Sequence, residues 1–119
     1  MVSVPAVKEP IQQLTNIIKE KHPDTFVLID GAHVMGQVRQ LNLSSFYNMD
    51  AYLSNGHKWL YSAKGSAFLW VNSSSIGDTF PEPTVISSGN HPPQTSLAKR
   101  YEYVSSRDYT AFLLSLIHI

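Results

Sequence analysis

A helical pattern followed by a short, continuous apolar run is the feature that most constrains the fold. The positions that recur at the spacing of one helix face are Ile11, Leu14, Ile17 and Ile18. Pro23 ends this helix, and residues 26–29 (Phe-Val-Leu-Ile) follow as an uninterrupted apolar segment. Such a run is typical of a strand buried on both faces of a parallel sheet. A helix followed by a buried strand predicts a crossover unit and the α/β class.

Two further segments predict two more strands, at residues 49–54 and 66–71. Four prolines between residues 79 and 95 exclude a regular element from most of that stretch, where residues 85–87 can form only a short strand. Asp108 is predicted to cap a final helix that begins near Tyr109. The order of elements is that of one α/β domain with a mostly parallel sheet and flanking helices.

Composition excludes several classes of function. The chain has 119 residues and zero formal net charge, so no electrostatic argument favours nucleic acid or an anionic membrane as a partner. It has no cysteine, which excludes a disulfide framework, a thiolate metal site and a cysteine nucleophile. No signal-peptide pattern and no membrane-spanning apolar run is present, and we therefore expect a cytoplasmic protein.

Asp30 is the first candidate for chemistry. It ends the predicted strand at residues 26–29, and the carboxyl edge of an open α/β sheet is where ligands bind. A carboxylate at that edge can keep a pyridine nitrogen protonated through a charge-assisted hydrogen bond, which turns the ring into an electron sink. An aspartate before Gly31 is equally common in a plain turn, so both interpretations stay open.

Lys58 is the second candidate. A lysine amine attacks an aldehyde once burial or a neighbouring cation favours its neutral form. His57 supplies such a neighbour or a phosphate contact, although an isolated Gly-His-Lys is more often a surface lysine with its stem along apolar groups. His33, three residues after Asp30, either contacts a ring hydroxyl or is satisfied by the backbone of a loop.

The acid and the amine together fit pyridoxal phosphate (PLP), which needs a carboxylate at its pyridine nitrogen and an amine at its aldehyde. Competing sites fit less well. Gly31 and Gly36 lack the G-x-G-x-x-G spacing of a dinucleotide site, and the histidine spacings provide no zinc ligand set, so we expect no metal. Ser106 opens the last helix, either as part of an anion site or as part of a plain cap.

These segments resemble the class V aminotransferase family of fold-type I PLP enzymes. Residues 30–33 (Asp-Gly-Ala-His) resemble its cofactor-nitrogen motif, and residues 54–60 (Ser-Asn-Gly-His-Lys-Trp-Leu) resemble its lysine motif. Residues 64–69 resemble the strand that follows. Residues 105–110 resemble a Gly-Thr-Arg-Asp segment in the branch that contains isopenicillin N epimerase-like and L-cysteine desulfhydrase-like proteins. The resemblance covers nearly all of the chain before residue 114.

The resemblance implies a role for each matching residue. Asp30 would pair with the pyridine nitrogen, Ala32 would pack on one ring face, and His33 would contact the ring oxygen. Lys58 would hold the internal aldimine and then move the proton of the substrate α-carbon. The implied substrate is an amino acid, and the implied reaction is epimerisation, C–S bond cleavage or transamination.

The resemblance also implies a phosphate site that two subunits share. Asn55 and His57 would contact the phosphate from one subunit, and Ser106 would reach the phosphate of its neighbour in a homodimer. The family more often has threonine at this last position, and serine keeps the hydroxyl.

The resemblance places residues 1–113 in the central part of the large PLP-binding domain. Residues 114–119 resemble a translated sequencing adapter, and we expect them not to be native. We expect the 119-residue piece alone to be poorly soluble, to bind PLP weakly and to be inactive. The alternative is a non-catalytic remnant or interaction module on the same fold.

Overall fold

The computed structural model describes residues 4–39, 41–45, 48–77, 80–84, 101 and 106–117. Ser105, the first residue of the segment that resembles Gly-Thr-Arg-Asp, lies outside these ranges, as does the predicted strand at residues 85–87. The described elements are helix α1 (Ile11–Lys21), strand β1 (Leu28–Asp30), a 3-10 turn (Leu43–Ser45), strands β2 (Ala51–Asn55) and β3 (Ala67–Val71), and helices α2 (Ser73–Ile76) and α3 (Thr110–Ile117).

The described strands form one mixed sheet in the order β1-β2-β3. Strand β1 runs parallel to β2, as expected of a mostly parallel sheet, and Asp30 pairs with Leu53. Strand β3 runs antiparallel to β2, with Asn55 beside Ala67, so the expectation of a mostly parallel sheet is wrong for this pair. The reason is the connection at residues 56–66, which turns back at once instead of crossing over the sheet.

The core lies on one face of the sheet. Its buried members are Val27, Met49 and Tyr52, and the partly buried side chains packed on them are Ile29, Leu41, Leu43, Phe68 and Trp70. On the other face Leu28 is 49% exposed and Leu69 is 50% exposed. The predicted burial of β1 on both faces is therefore wrong for the described chain, because β1 is an edge strand there with one face uncovered.

Helix α1 begins and ends where the apolar periodicity predicts. Its buried residue is Thr15, while Leu14 and Ile17 are nearly half exposed. These side chains, like Leu28 and Leu69, add apolar surface that water contacts. The solubility of the chain stays a prediction.

Asp50 joins three parts of the fold. Its Oδ2 accepts a hydrogen bond from Val27 N at 2.7 Å and lies 2.8 Å from Lys19 Nζ of α1. Its backbone carbonyl accepts from Asn72 N, just beyond β3. Burial by itself would raise the pKa of Asp50. Hydrogen bonds from Lys19, Val27 and Ser75, with the Lys19 charge, outweigh burial and hold that pKa below its usual value.

Replacing Asp50 by alanine should lower the free energy of unfolding by about 2 kcal/mol at pH 7, since it leaves a buried N–H without a partner. The folded-state pKa is depressed, so the stabilisation is present above the unfolded value of about 4 and is lost as pH falls through the folded value. Urea melts at pH 7 and pH 3 measure the difference, with the exposed Asp24→Ala as control. An equal loss at both pH values would contradict this role.

The final helix begins one residue after the predicted start. Asp108 Oδ1 accepts a hydrogen bond from Thr110 N at 2.8 Å, which confirms Asp108 as the capping residue. The predicted boundary at residue 114 falls inside α3 and stays a prediction. Among the helices of the described chain, none has the length and apolar character that a bilayer crossing requires.

Candidate cofactor site at the carboxyl edge of the sheet

Asp30 and Asn55 lie at the same edge of the sheet. Each is the last residue of its strand, and β1 and β2 are parallel neighbours. The segments that follow the two strands therefore leave the sheet side by side. This is the edge at which the sequence predicts the ligand site.

The two segments meet at His33 and Lys58. His33 Nε2 lies 3.3 Å from Lys58 Nζ, and both side chains are half-buried. The approach depends on Gly36, whose backbone has a φ of +76°. A Cβ at Gly36 would lie only 2.9 Å from the Trp59 carbonyl oxygen, so a larger residue would push the segments apart.

The hydrogen bond between His33 and Lys58 has a defined donor and acceptor when Lys58 is charged. A lysine ammonium only donates hydrogen bonds, so His33 Nε2 accepts when Lys58 is charged, and the proton of the neutral ring lies on Nδ1. A lysine amine is a nucleophile in its neutral form, and His33 Nε2 is a group within hydrogen-bonding distance of it.

The turn that carries Lys58 is closed by backbone hydrogen bonds. Gly56 N donates to the Ser66 carbonyl at 3.0 Å, and Ser62 N donates to the Gly56 carbonyl at 3.1 Å. Tyr61 has a φ of +56°, which is uncommon for a residue with a bulky side chain. The turn is thus a defined structure that presents Lys58 and His57, and it tolerates one unusual backbone conformation.

His57 is oriented by the same turn. Its Nδ1 lies 3.0 Å from the Ser66 carbonyl, and since a carbonyl only accepts, Nδ1 carries a proton. Its Nε2 is left for another partner and becomes a donor when the ring is protonated. Nearby, the buried Ser62 hydroxyl has no hydrogen-bond partner among the described residues. The turn therefore holds the His57 ring in one orientation through Nδ1.

Asp30 is exposed, and its Oδ1 accepts a hydrogen bond from Ala32 N at 2.9 Å. Gly31, the residue between them, is hydrogen-bonded to β2 through both its N–H and its carbonyl group. Its N–H donates to the Leu53 carbonyl at 2.8 Å, and its own carbonyl accepts from Ser54 Oγ at 2.9 Å. The backbone that carries the acid is therefore fixed to the neighbouring strand.

Sequence reasoning missed Ser54 and Tyr52, which lie under this backbone. Both are buried, and the Tyr52 hydroxyl lies 3.4 Å from the Gly31 carbonyl. Burial raises the pKa of Tyr52, contact with Ser54 opposes the rise, and the Asp30 charge adds to it, so Tyr52 stays a neutral donor. The available signal was two hydroxyls two residues apart, on one face of a strand.

Ser106 is not brought to these residues within the described chain. It is exposed and makes no hydrogen bond to the other predicted site residues there. Helix α3, which follows it, does lie beside the lysine segment. A Cβ at Gly65 would be 3.9 Å from the Ala111 side chain, an ordinary packing distance.

The residues present fit PLP in their chemistry. Asp30 ends one strand, and His57 and Lys58 follow the next. In their chemistry, a carboxylate, an imidazole and an amine suit a pyridine nitrogen, a phosphate and an aldehyde, respectively. Among the described residues there is no cluster of three or more metal-binding side chains.

Comparison with known proteins gives partial matches to one kind of protein. The chain is 38% and 35% identical to two L-cysteine desulfhydrase-like proteins of Epichloe uncinata over 71 residues, which is 60% of the chain and 14% and 15% of those proteins. It is 26% identical to an L-cysteine desulfhydrase of Arabidopsis thaliana over 114 residues, 96% of the chain and 24% of that protein.

The matches cover less than a quarter of each relative's length. No protein-family model matches the chain, and no solved structure matches it. At low identity and over part of its length, the chain is thus similar to proteins named L-cysteine desulfhydrase or L-cysteine desulfhydrase-like, consistent with a class V aminotransferase-like family.

Proposed function

We propose that these residues belong to a PLP-dependent enzyme that cleaves the C–S bond of an amino acid, with L-cysteine as the first substrate to test. The observation that carries the proposal is the contact of 3.3 Å between Lys58 Nζ and His33 Nε2. Two segments 25 residues apart, each resembling a PLP motif, meet at the predicted edge of the sheet. The names of the partial relatives favour C–S cleavage over epimerisation or transamination.

PLP, when bound, withdraws electrons from the substrate α-carbon. The chain's own residues would do the rest. Asp30 would hold the ring nitrogen protonated, and Ala32 would pack on the ring. His33 would contact the ring oxygen, and its Nε2 lies 3.3 Å from the Lys58 amine. Lys58 would bind the aldehyde and then carry the α-proton.

The phosphate contacts are part of the same proposal. Asn55 ends β2 beside the lysine turn, and a protonated His57 can donate its Nε2–H to a phosphate oxygen while Nδ1–H stays on Ser66. We also propose a homodimer in which Ser106 contacts the phosphate of the neighbouring subunit. Its exposure leaves the hydroxyl available for such a contact.

Product analysis tests the proposal. The natural protein that carries this sequence, incubated with PLP and L-cysteine, should release sulfide, ammonia and pyruvate in equal amounts. Formation of alanine with transferred sulfur, of D-cysteine, or of a keto acid that still contains sulfur would assign one of the other reactions. The absence of any change in PLP absorbance on mixing would contradict the proposal and favour a non-catalytic module.

A further inference from the structure

We propose that Ser54 is a positioning residue for the Asp30 carboxylate and acts through the rigid peptide unit between Gly31 and Ala32. The inference rests on the proposed function, because it concerns the acid that would hold the cofactor ring. It adds a residue to which the family resemblance assigns no role.

One planar peptide unit connects Ser54 with the Asp30 carboxylate. The Gly31 carbonyl and the Ala32 N–H belong to the same planar unit and point in opposite directions. Ser54 Oγ donates to that carbonyl at 2.9 Å, and the Ala32 N–H donates to Asp30 Oδ1 at 2.9 Å. A rotation of this peptide would therefore lengthen both hydrogen bonds together.

The Ser54 side chain is a rigid hydrogen-bond partner for the Gly31 carbonyl. Ser54 is fully buried in the middle strand of the sheet, where it has little freedom to follow a moving partner. Gly31 N also donates to the Leu53 carbonyl, which pins the other side of the same residue. The orientation of the Asp30 carboxylate is therefore fixed relative to β2, the strand that also leads into the Lys58 turn.

Two further hydrogen-bond donors to the Gly31 carbonyl limit the expected effect of losing the Ser54 hydroxyl. Val34 N donates to the Gly31 carbonyl at 2.9 Å as part of a turn, so this carbonyl keeps one partner without Ser54. The Tyr52 hydroxyl lies at 3.4 Å, near the limit for a hydrogen bond. Loss of Ser54 should therefore misalign the peptide without unfolding the loop, and loss of the Tyr52 hydroxyl should have a smaller effect.

The test compares two ligands that differ at one atom. In 1-deazapyridoxal phosphate a C–H group replaces the ring nitrogen, so this analogue gains nothing from a well-placed Asp30. In the natural protein, Ser54→Ala should weaken PLP binding by about tenfold, the loss expected for one misaligned charge-assisted hydrogen bond. Its affinity for the deaza analogue should stay within about twofold of the wild-type value.

A matched control separates positioning from general destabilisation. Thr15→Val removes another buried hydroxyl, from α1, and should leave the ratio of the two affinities unchanged. If Ser54→Ala does not fold, Tyr52→Phe serves instead and should shift the ratio in the same direction by less. An equal loss for both ligands, or no loss for PLP, would overturn the inference. A wild-type protein that binds neither ligand would contradict the proposed function itself, and the inference would fall with it.

Discussion

Replacing Lys58 by alanine should lower kcat for sulfide release from L-cysteine by about 10²–10⁴-fold from the lost proton transfer alone. Lys58 is the described amine that lies against a proton acceptor at the carboxyl edge, with Nζ at 3.3 Å from His33 Nε2. In the proposed mechanism, its removal would take away both the covalent bond to the cofactor and the group that moves the α-proton. PLP should still bind through its remaining contacts, but less tightly.

The control for this experiment lies in the same part of the chain. Lys64 is an exposed lysine that precedes Gly65, and no described contact joins it to the site. Lys64→Ala should leave kcat and KM near their wild-type values. Sulfide release by Lys58→Ala within about tenfold of wild type, under conditions where wild type depends on PLP, would remove Lys58 from the mechanism.

Replacing Gly31 by alanine should lower the free energy of unfolding by about 3 kcal/mol or more, through overpacking. A Cβ on Gly31 would lie 2.1 Å from Tyr52 Oη and 2.2 Å from Tyr52 Cζ. Tyr52 is only 3% exposed and packs in the core, so it cannot move away cheaply. The shift of the urea unfolding midpoint of the natural protein that carries this sequence measures the loss.

A double-mutant cycle identifies the cause of that loss. In a Tyr52→Leu background the clashing ring atoms are absent, and Gly31→Ala should then cost less than about 1 kcal/mol. Gly31 has no positive φ that would strain an alanine. An undiminished cost in the Tyr52→Leu background would mean that the clash with the tyrosine ring is not what requires glycine here.

The local part of the fold followed from the sequence. Periodicity located α1, and apolar runs located all three described strands to within about two residues. The antiparallel pairing of β3 with β2 could not be predicted, because the sequence of residues 56–66 does not show whether the chain turns back or crosses over the sheet. The exposure of Leu28 did not follow either, since burial depends on which elements cover a strand.

The candidate site, too, was predictable from the sequence only in part. Asp30 was expected at the carboxyl edge because it ends a predicted strand, and it lies there. Asn55 was named only through the resemblance, and the structure places it at the same edge as the last residue of β2. The ties between Ser54 and Gly31, and between Lys19 and Asp50, join residues more than 20 positions apart. Long-range polar contacts of this kind leave no periodic signal, so only the folded chain reveals them.

The proposed roles of Asp30, His33 and Lys58 all require that PLP binds covalently to Lys58. The most direct measurement is to mix the natural protein with PLP, reduce the complex with borohydride, digest it and locate the attached cofactor by mass spectrometry. The account predicts the label on Lys58 and on no other lysine. A label on Lys64 or another lysine, or no label at all, would contradict the central claim that this edge of the sheet is a PLP site.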